Sequence, residues 1–369
     1  MNTKIRQIHI MARDIVQRDA VGNYCLQTGN YLKSDGWDVT YWSDHFLCFD
    51  QNDNIVNSAR SDFLASAQDD DILIYHFSIG DPFLPELTNF CGTKILYFHN
   101  ITPPEIIDPQ DELTRENCQL GYDQLGFLDM FDAVFANSNY TAKLLPQYKK
   151  LSEKKLLEVL PPVADIQKWD KVAASEVDLD PGMNNESTAL IYVGRLVPNK
   201  GIEKLLYLFE QISVLGNYTL NIVGGPAESP YLTRCKELSA KMAENYDAHV
   251  SFHHDIPDEE LKTLYLSAKG AITMSLHEGF CVPALDALYF DIPFFATELP
   301  ALSDVLGRAE IKLTDADLSA MALEVHNAFQ DTQFLDKHSV LRSEQRKLMN
   351  HAASSVKFIS AFREMLSKL

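Results

Sequence analysis

Two carboxylates and two cations carry the chemistry that can be read from this chain. Glu278 lies in His277-Glu278-Gly279-Phe280-Cys281-Val282-Pro283, and Asp286 follows it eight residues later, about two helical turns on. Ahead of Glu278, Ala271 to Leu276 is short, apolar and suited to a buried parallel strand. After it, Pro283 sits where a first helical turn begins, and Leu285, Ala287 and Leu288 continue an apolar stripe. A strand, a glycine-containing turn and a helix start leave free backbone N–H groups facing a ligand, and the helix dipole behind them favours an anion. Acceptor-only carboxylates beside anion-seeking amides suit a molecule with phosphates and hydroxyls, such as a nucleotide sugar. A plain βα turn with a solvated Glu and Asp has the same pattern, so the rest of the chain must decide.

The cations sit in Gly194-Arg195-Leu196-Val197-Pro198-Asn199-Lys200-Gly201, between an apolar Ala189 to Val193 run and a helical Ile202 to Ile212 pattern. Gly194 permits a tight turn, Arg195 offers a planar fork and Lys200 a point charge, a combination that fits a diphosphate. Gly224-Gly225-Pro226 ends the next apolar run and is either a close-approach loop or ordinary turn chemistry. In the N-terminal half, Ile72 to His76 puts His76 at a strand end. Lys94 to Phe98 is followed by His99-Asn100-Ile101-Thr102-Pro103-Pro104-Glu105. His99 therefore falls beyond the carboxyl end of a strand, where parallel sheets place reactive groups. A histidine that only bonds the next loop would look the same.

The elements that must position these residues alternate. Ile5 to Ile10, Trp37 to Trp42, Ile72 to His76, Lys94 to Phe98, Ala133 to Ala136 and Leu156 to Leu160 read as strands. Ala20 to Lys33 reads as a helix closed by Asp35-Gly36. Pro161-Pro162 is the first strong break, followed by a polar, irregular stretch from Val163 to Ser187. A second series then runs through Ala189 to Val193, Tyr218 to Val223, His249 to His253, Ala271 to Leu276, Pro293 to Thr297 and Glu310 to Leu313. Helical patterns follow over Leu318 to Phe329 and Ser339 to Leu369. Strands alternating with helices, twice over, indicate two doubly wound parallel sheets.

These segments resemble retaining GT-B glycosyltransferases of family 4. The Glu278 segment is similar to that family's Glu-x7-Glu signature, with Asp286 standing where the second Glu would be, one methylene short. The resemblance implies that Glu278 binds the donor sugar, that the loop of Gly279, Phe280, Cys281 and Val282 binds sugar and phosphate, and that Asp286 binds ribose. Gly194, Arg195 and Lys200 resemble the family's diphosphate site, and Gly224 lies on the adjoining loop. Phe252 to Leu261 resembles the segment that holds the donor base, which places the nucleobase near His254 to Ile256. His99 to Pro104 resembles a His-Asn-Ile-Thr-Pro-Pro loop of one bacterial branch, Asp19 to Asn23 that branch's first loop, and Phe135 to Tyr140 the family's Asn-Ser strand end. Gly22, His76, His99, Asn100, Thr102 and Asn137 are accordingly expected on the acceptor or cleft side. The expected fold is α/β: residues 1–162 an acceptor-binding Rossmann-like domain, 163–344 a donor-binding one, facing across a cleft, with a helix of about 345–369 returning to the first.

Composition narrows the rest. The 369 residues are enough for two domains, and 46% hydrophobic with 23% charged residues is a soluble globular balance. A formal net charge of -20 opposes broad nucleic-acid binding. Six dispersed Cys without a Cys-x-x-Cys pair, no apolar run near the roughly 20 residues of a membrane span and no signal-peptide core lead us to expect a reduced, cytoplasmic protein. Neither His253-His254 nor Asp69-Asp70-Asp71, which precedes a strand, forms a convincing metal site, so neither metal nor resident cofactor is expected. Lys143, Lys149, Lys150, Lys154 and Lys155 lie among leucines; that stretch either touches anionic lipid or a lipid-diphosphate acceptor at the inner face of the membrane, or is a solvated helix face. Transfer of a sugar from a nucleotide-diphosphate donor to a glycan or lipid-linked saccharide is the expected reaction. The rivals are a GT-B phosphorylase, a nucleotide-sugar epimerase and a non-catalytic subunit of a polysaccharide-assembly complex.

Overall fold

Strands that are apolar along their whole length need cover on both faces, and helices on the connections supply it. The computed structural model describes residues 7–16, 19–47, 57–148, 156–162, 168–175, 187–246, 248–314 and 317–369. The chain divides into two units: Met1–Asp165 with Asn350–Leu369, and Ile166–Met349.

Unit 1 is built on β1 (Gln7–Met11), β2 (Asp38–Trp42), β3 (Asn57–Ser58), β4 (Ile72–Phe77), β5 (Thr93–Phe98), β6 (Ala133–Ala136) and β7 (Leu156–Val159), in the order β3-β2-β1-β4-β5-β6-β7 with every pairing parallel. The order reverses between β1 and β4, the switch point of a doubly wound sheet, so the carboxyl edge there is where such folds take ligands. Helix α1 (Ala20–Ser34) starts at Asp19, whose carboxylate accepts from the Val21 and Gly22 amides. A Cβ on Gly22 would lie 2.0 Å from the Val16 carbonyl oxygen, so the first turn of α1 is pressed onto the preceding segment. Asp71, in the acidic run before β4, is buried: it accepts from the Gln68 amide and from His9 Nε2, while Trp42 Nε1 donates to His9 Nδ1. It is a structural carboxylate at the amino end of the sheet.

Unit 2 repeats the plan with β8 (Thr188–Val193), β9 (Tyr218–Val223), β10 (His249–His253), β11 (Gly270–Thr273), β12 (Phe294–Ala296) and β13 (Ile311–Lys312), ordered β10-β9-β8-β11-β12-β13, all parallel. Helix α2 (Ile202–Ser213) buries Ile202, Leu205, Leu206, Phe209 and Ile212, an i, i+3, i+4, i+7 stripe worth about 1.5 to 3 kcal/mol per large side chain removed from water. Helix α3 (Val282–Tyr289) carries Pro283 in its first turn.

Two boundaries and one missed strand pair stand out against the sequence reading, each for a local reason. The strand expected over Ala271 to Leu276 stops at Thr273, because Thr273 Oγ1 accepts from the Ser275 amide at 3.2 Å and lies 3.0 Å from Ser275 Oγ. The helical stretch expected from Ser339 to Leu369 is two helices, α4 (Thr332–Ala352) and α5 (Ser355–Lys368), since Ser354 leaves the helical path and its hydroxyl caps the Lys357 amide at 3.1 Å. A short parallel pair, Asp14–Val16 with His45–Leu47, carried no apolar run long enough to announce it. Helix α5 belongs to unit 1: Phe358, Ala361, Phe362 and Met365 join Ile8, Ile10, Ile72, Ile74 and Phe135 in one core. No helix among the described residues is long and apolar enough to cross a membrane.

Candidate functional site

In unit 2 the loops after β8, β9 and β10 are laced by their own backbone. Gly194 N donates to Val223 O at 2.9 Å, Leu196 N to Gly225 O at 2.6 Å, and Gly224 N to His253 O at 2.9 Å. His254 Nδ1 adds a 2.8 Å bond to Gly224 O. A Cβ on Gly224 would stand 1.8 Å from Gly194 O, so the backbones approach too closely for any side chain there. His253 Nε2 meets Asn221 Oδ1 at 3.0 Å, and Ile256 is half-buried beyond. Both rings of the His253-His254 pair are thus engaged by the protein. Among the described residues no group of three or more His, Cys, Asp or Glu is arranged to hold a metal ion.

Lys200 ends a short helical turn, Pro198–Lys200, that closes on Gly201 in the left-handed region at φ 68°. A Cβ on Gly201 would lie 2.1 Å from Met274 O, so this turn sits hard against the end of β11. Leu276 N donates to Asn199 O at 2.9 Å and ties the two loops. As a result Lys200 Nζ reaches Glu278 Oε1 at 2.6 Å, with both side chains only 14% exposed. Residues 78 apart in sequence form one ion pair. Beside it, His277 is pushed down to about 4, first by burial and then by the Lys200 charge. Arg195 is exposed, and its guanidinium has no protein partner among the described residues.

The Glu278 loop runs through half-buried Gly279 and buried Phe280 to Cys281, which caps α3 with φ 75°, an uncommon conformation for a residue with a Cβ. Burial pushes the Cys281 thiol up, so it stays protonated. Val282 and Pro283 then open α3, leaving its first amides without helical partners. Asp286, the fifth residue of α3, is 9% exposed and accepts from Trp169 Nε1 at 2.8 Å. Burial raises its carboxyl to about 6, opposed by the Lys168 charge and the indole bond. Trp169 is fully buried, edge-on to Tyr265 and Phe290. Sequence reasoning gave Asp286 no protein partner; the one available signal was a lone Trp in a polar stretch.

In unit 1 the polar residues gather at the carboxyl ends of β4, β5 and β6. Phe77 pairs with Phe98 and Phe98 with Ala136, so His99 and Asn137 leave adjacent strands at one level. His76 Nδ1 and His99 Nε2 are 2.9 Å apart. The His99 ring stacks on Tyr97 at 4.6 Å and on Tyr24 of α1 at 5.5 Å. Asn137 Nδ2 donates to His99 O at 3.1 Å, and Asn100, at φ 73°, accepts the Ile101 amide at 2.8 Å. Burial lowers both histidines, His76 to about 3 and His99 well below its ordinary value. Four buried polar atoms here have no partner among the described residues: His76 Nε2, His99 Nδ1, Asn100 Nδ2 and Asn137 Oδ1. Unpaired groups cost about 1 to 3 kcal/mol each, so such a cluster marks a place for a ligand or water. Thr102 is half-buried nearby in sequence, and Gly22 lies in the first turn of α1. Tyr24 was not singled out from the sequence, because a Tyr on an amphipathic helix reads as core. Of the basic stretch, Lys143 is exposed; Lys149, Lys150, Lys154 and Lys155 lie outside the described residues.

Residues 178–334 match the family described as glycosyl transferases group 1. The match covers less than half of the chain. The matched segment holds Gly194, Arg195, Lys200, Gly224, His254, Glu278 and Asp286. Among relatives, O-antigen chain mannosyltransferase B of Escherichia coli is 23% identical over 176 residues, 47% of this chain and 45% of that protein. The chain therefore spans less than half the length of that relative. Among solved structures, Anabaena HepE in complex with UDP and glucose aligns with a TM-score of 0.75 at 14% identity, over 99% of this chain and 100% of the other. Sucrose-phosphate synthase from Thermosynechococcus elongatus aligns at 0.72 and 15% identity, over 99% and 100%. At such identities the likeness is one of fold: two parallel-sheet α/β domains of the GT-B type. The glycosyl transferases group 1 match does not extend over His76, His99, Asn100 or Asn137, whose grouping comes from the structure alone.

Proposed function

We propose that this protein is a hexosyl-type glycosyltransferase that moves a sugar from a nucleotide-diphosphate donor to a glycan or lipid-linked saccharide, with retention, in surface polysaccharide or glycoconjugate synthesis. The observation that carries the reading is the Lys200–Glu278 pair at the mouth of α3, with the unpartnered Arg195 on the same loop as Lys200. A cation and a carboxylate in contact can part on binding, Lys200 to the diphosphate and Glu278 to the sugar hydroxyls. As the sugar–phosphate bond breaks, negative charge builds on the leaving diphosphate; Arg195, Lys200 and the amides opening α3 stabilise it. Side-chain cations make a metal unnecessary in this scheme. Asp286 is assigned to the ribose and the His254 to Ile256 segment to the base. His99, held neutral by burial, serves as a hydrogen-bonding group for a substrate hydroxyl, and the leaving phosphate takes the acceptor proton.

The named mannosyltransferase relative and the HepE complex with UDP and glucose support a nucleotide-sugar donor and a hexose. A thermal-shift screen against UDP-, GDP-, ADP- and dTDP-sugars, followed by donor-hydrolysis assays on each hit, tests the reading. A shift with one nucleotide family and slow release of its sugar is the expected result; no shift and no hydrolysis with any of them overturns it.

A further inference from the structure

One hydrogen bond at the polar edge of unit 1 has a direction that decides what the edge offers a ligand. His76 Nδ1 and His99 Nε2 are 2.9 Å apart, and two neutral rings place a single proton between those atoms. If His76 holds it, His99 Nε2 accepts and the His99 proton sits on Nδ1. If His99 holds it, His99 Nδ1 is a bare lone pair and His76 keeps a proton on Nε2. Both outer atoms, His76 Nε2 and His99 Nδ1, are buried without a partner among the described residues, so one is an orphan donor and the other an orphan acceptor. Orphan buried N–H groups are the rarer of the two. The donor must therefore be the atom a ligand can reach. His76 lies within β4 at 2% exposure, its ring packed against Tyr97 and His99, whereas His99 lies past the end of β5 at 6%.

We infer that His76 is a positioning residue: it donates from Nδ1 to His99 Nε2 and so fixes His99 as the tautomer that presents Nδ1–H to substrate. The neighbouring amides have their orientations set by the backbone. Asn100 Oδ1 is taken by the Ile101 amide, leaving Nδ2 as a donor, and Asn137 Nδ2 is spent on His99 O, leaving Oδ1 as an acceptor. Two donors and one acceptor match hydroxyls, which give and take hydrogen bonds at once. A phosphate would leave Asn137 Oδ1 unmet. The edge is thus a polyol subsite, and its part in sugar transfer rests on the function proposed above.

Imidazole ¹⁵N correlation spectra of the ligand-free full chain read the tautomer directly. His99 is expected to show a pyrrole-type Nδ1 and a pyridine-type Nε2; the reverse assignment overturns the inference whether or not any variant folds. His76→Asn keeps an amide donor near the Nδ1 position and is expected to preserve the His99 pattern and to lose less kcat/KM than the Asp variant. His76→Asp, when ionised, offers only an acceptor; it is expected to move the His99 proton to Nε2 and lower kcat/KM about tenfold or more, with a lower melting temperature because the carboxylate is buried. Equal losses in the Asn and Asp variants, with an unaltered His99 pattern, would show a merely structural His76 and overturn the positioning role. A wild-type chain with the inferred tautomer but no transfer from any sugar nucleotide overturns the activity and leaves the pairing intact.

Discussion

The two polar edges of this molecule are built by opposite means. The edge of unit 2 uses full charges: a partly buried Lys200–Glu278 pair and an exposed Arg195. The edge of unit 1 uses neutral groups in the interior: His76, His99, Asn100 and Asn137, all buried. The contrast fits the ligands proposed for each edge. A diphosphate brings charge that a low-dielectric pocket would reject without cations, while hydroxyls demand direction rather than charge. Charge tolerates loops, because Coulomb attraction falls off slowly. Directed hydrogen bonds need rigid strand ends, which the three parallel strands β4, β5 and β6 provide.

The largest effects should come from the charged edge. Arg195→Ala and Lys200→Ala are each expected to lower kcat/KM by about 2 to 4 kcal/mol, as for other groups that stabilise developing charge. The Arg195 share should shrink as salt rises from about 0.05 to 0.5 M, because that side chain is exposed and screened. Steady-state kinetics at two ionic strengths checks both; unchanged rates in two folded single mutants would remove the diphosphate assignment.

Next comes a stability effect at Asp286. Burial pushes its folded carboxyl up to about 6 from 3.8 in the unfolded chain, so burial of the ionised form disfavours folding above that range and not below it. The sign is therefore a loss of wild-type stability as pH rises from about 4 to 6, by up to about 3 kcal/mol. Asp286→Asn keeps an oxygen for the Trp169 indole and removes the titration. Urea melts at pH 4.5 and 7.5 should show the mutant gaining on the wild type at the higher pH; a constant difference would mean the carboxyl is not desolvated as described.

Smaller again is the division of labour between the carboxylates. Asp286→Asn is expected to weaken nucleoside diphosphate binding by about 1 to 3 kcal/mol, while Glu278→Gln leaves that binding near wild type and depresses transfer. Calorimetry with the diphosphate alone separates the roles, and equal losses would merge them. The smallest expected effect is none at all: EDTA should leave the rate unchanged. Arrest by chelation with recovery only on adding Mg²⁺ or Mn²⁺ would replace the side-chain cations with a metal.

Much of the fold was legible because both sheets are parallel and buried. The six residues of β4 are buried throughout, and such runs announce themselves without periodicity. Unit 2's candidate site was legible in its residue types, since Arg195, Lys200 and Glu278 sit on loops between recognisable strands and helices. The Lys200–Glu278 contact itself was not, because it depends on Gly201 packing against Met274 across the sheet edge. Trp169 and Tyr24 stayed hidden for another reason: an aromatic residue that supports a site has the same sequence signature as one that fills a core. The His76–His99 bond was out of reach too, since nothing in a linear chain reveals strand register.

The discontinuous make-up of unit 1 bears on how the protein is born. A ribosome releases residues 7–162 first, yet the core they share with Phe358, Phe362 and Met365 stays open until all of unit 2 has been synthesised. Unit 2, made of contiguous chain, can complete itself in the meantime, reversing the usual N-terminal-first sequence of domain maturation. During that interval the apolar face left uncovered on the nascent first sheet is a target for chaperones. A ribosome-stalled series truncated before and after α5, each carried on a C-terminal linker long enough to clear the exit tunnel, would therefore show unit 1 gaining protease resistance only in the longer chains.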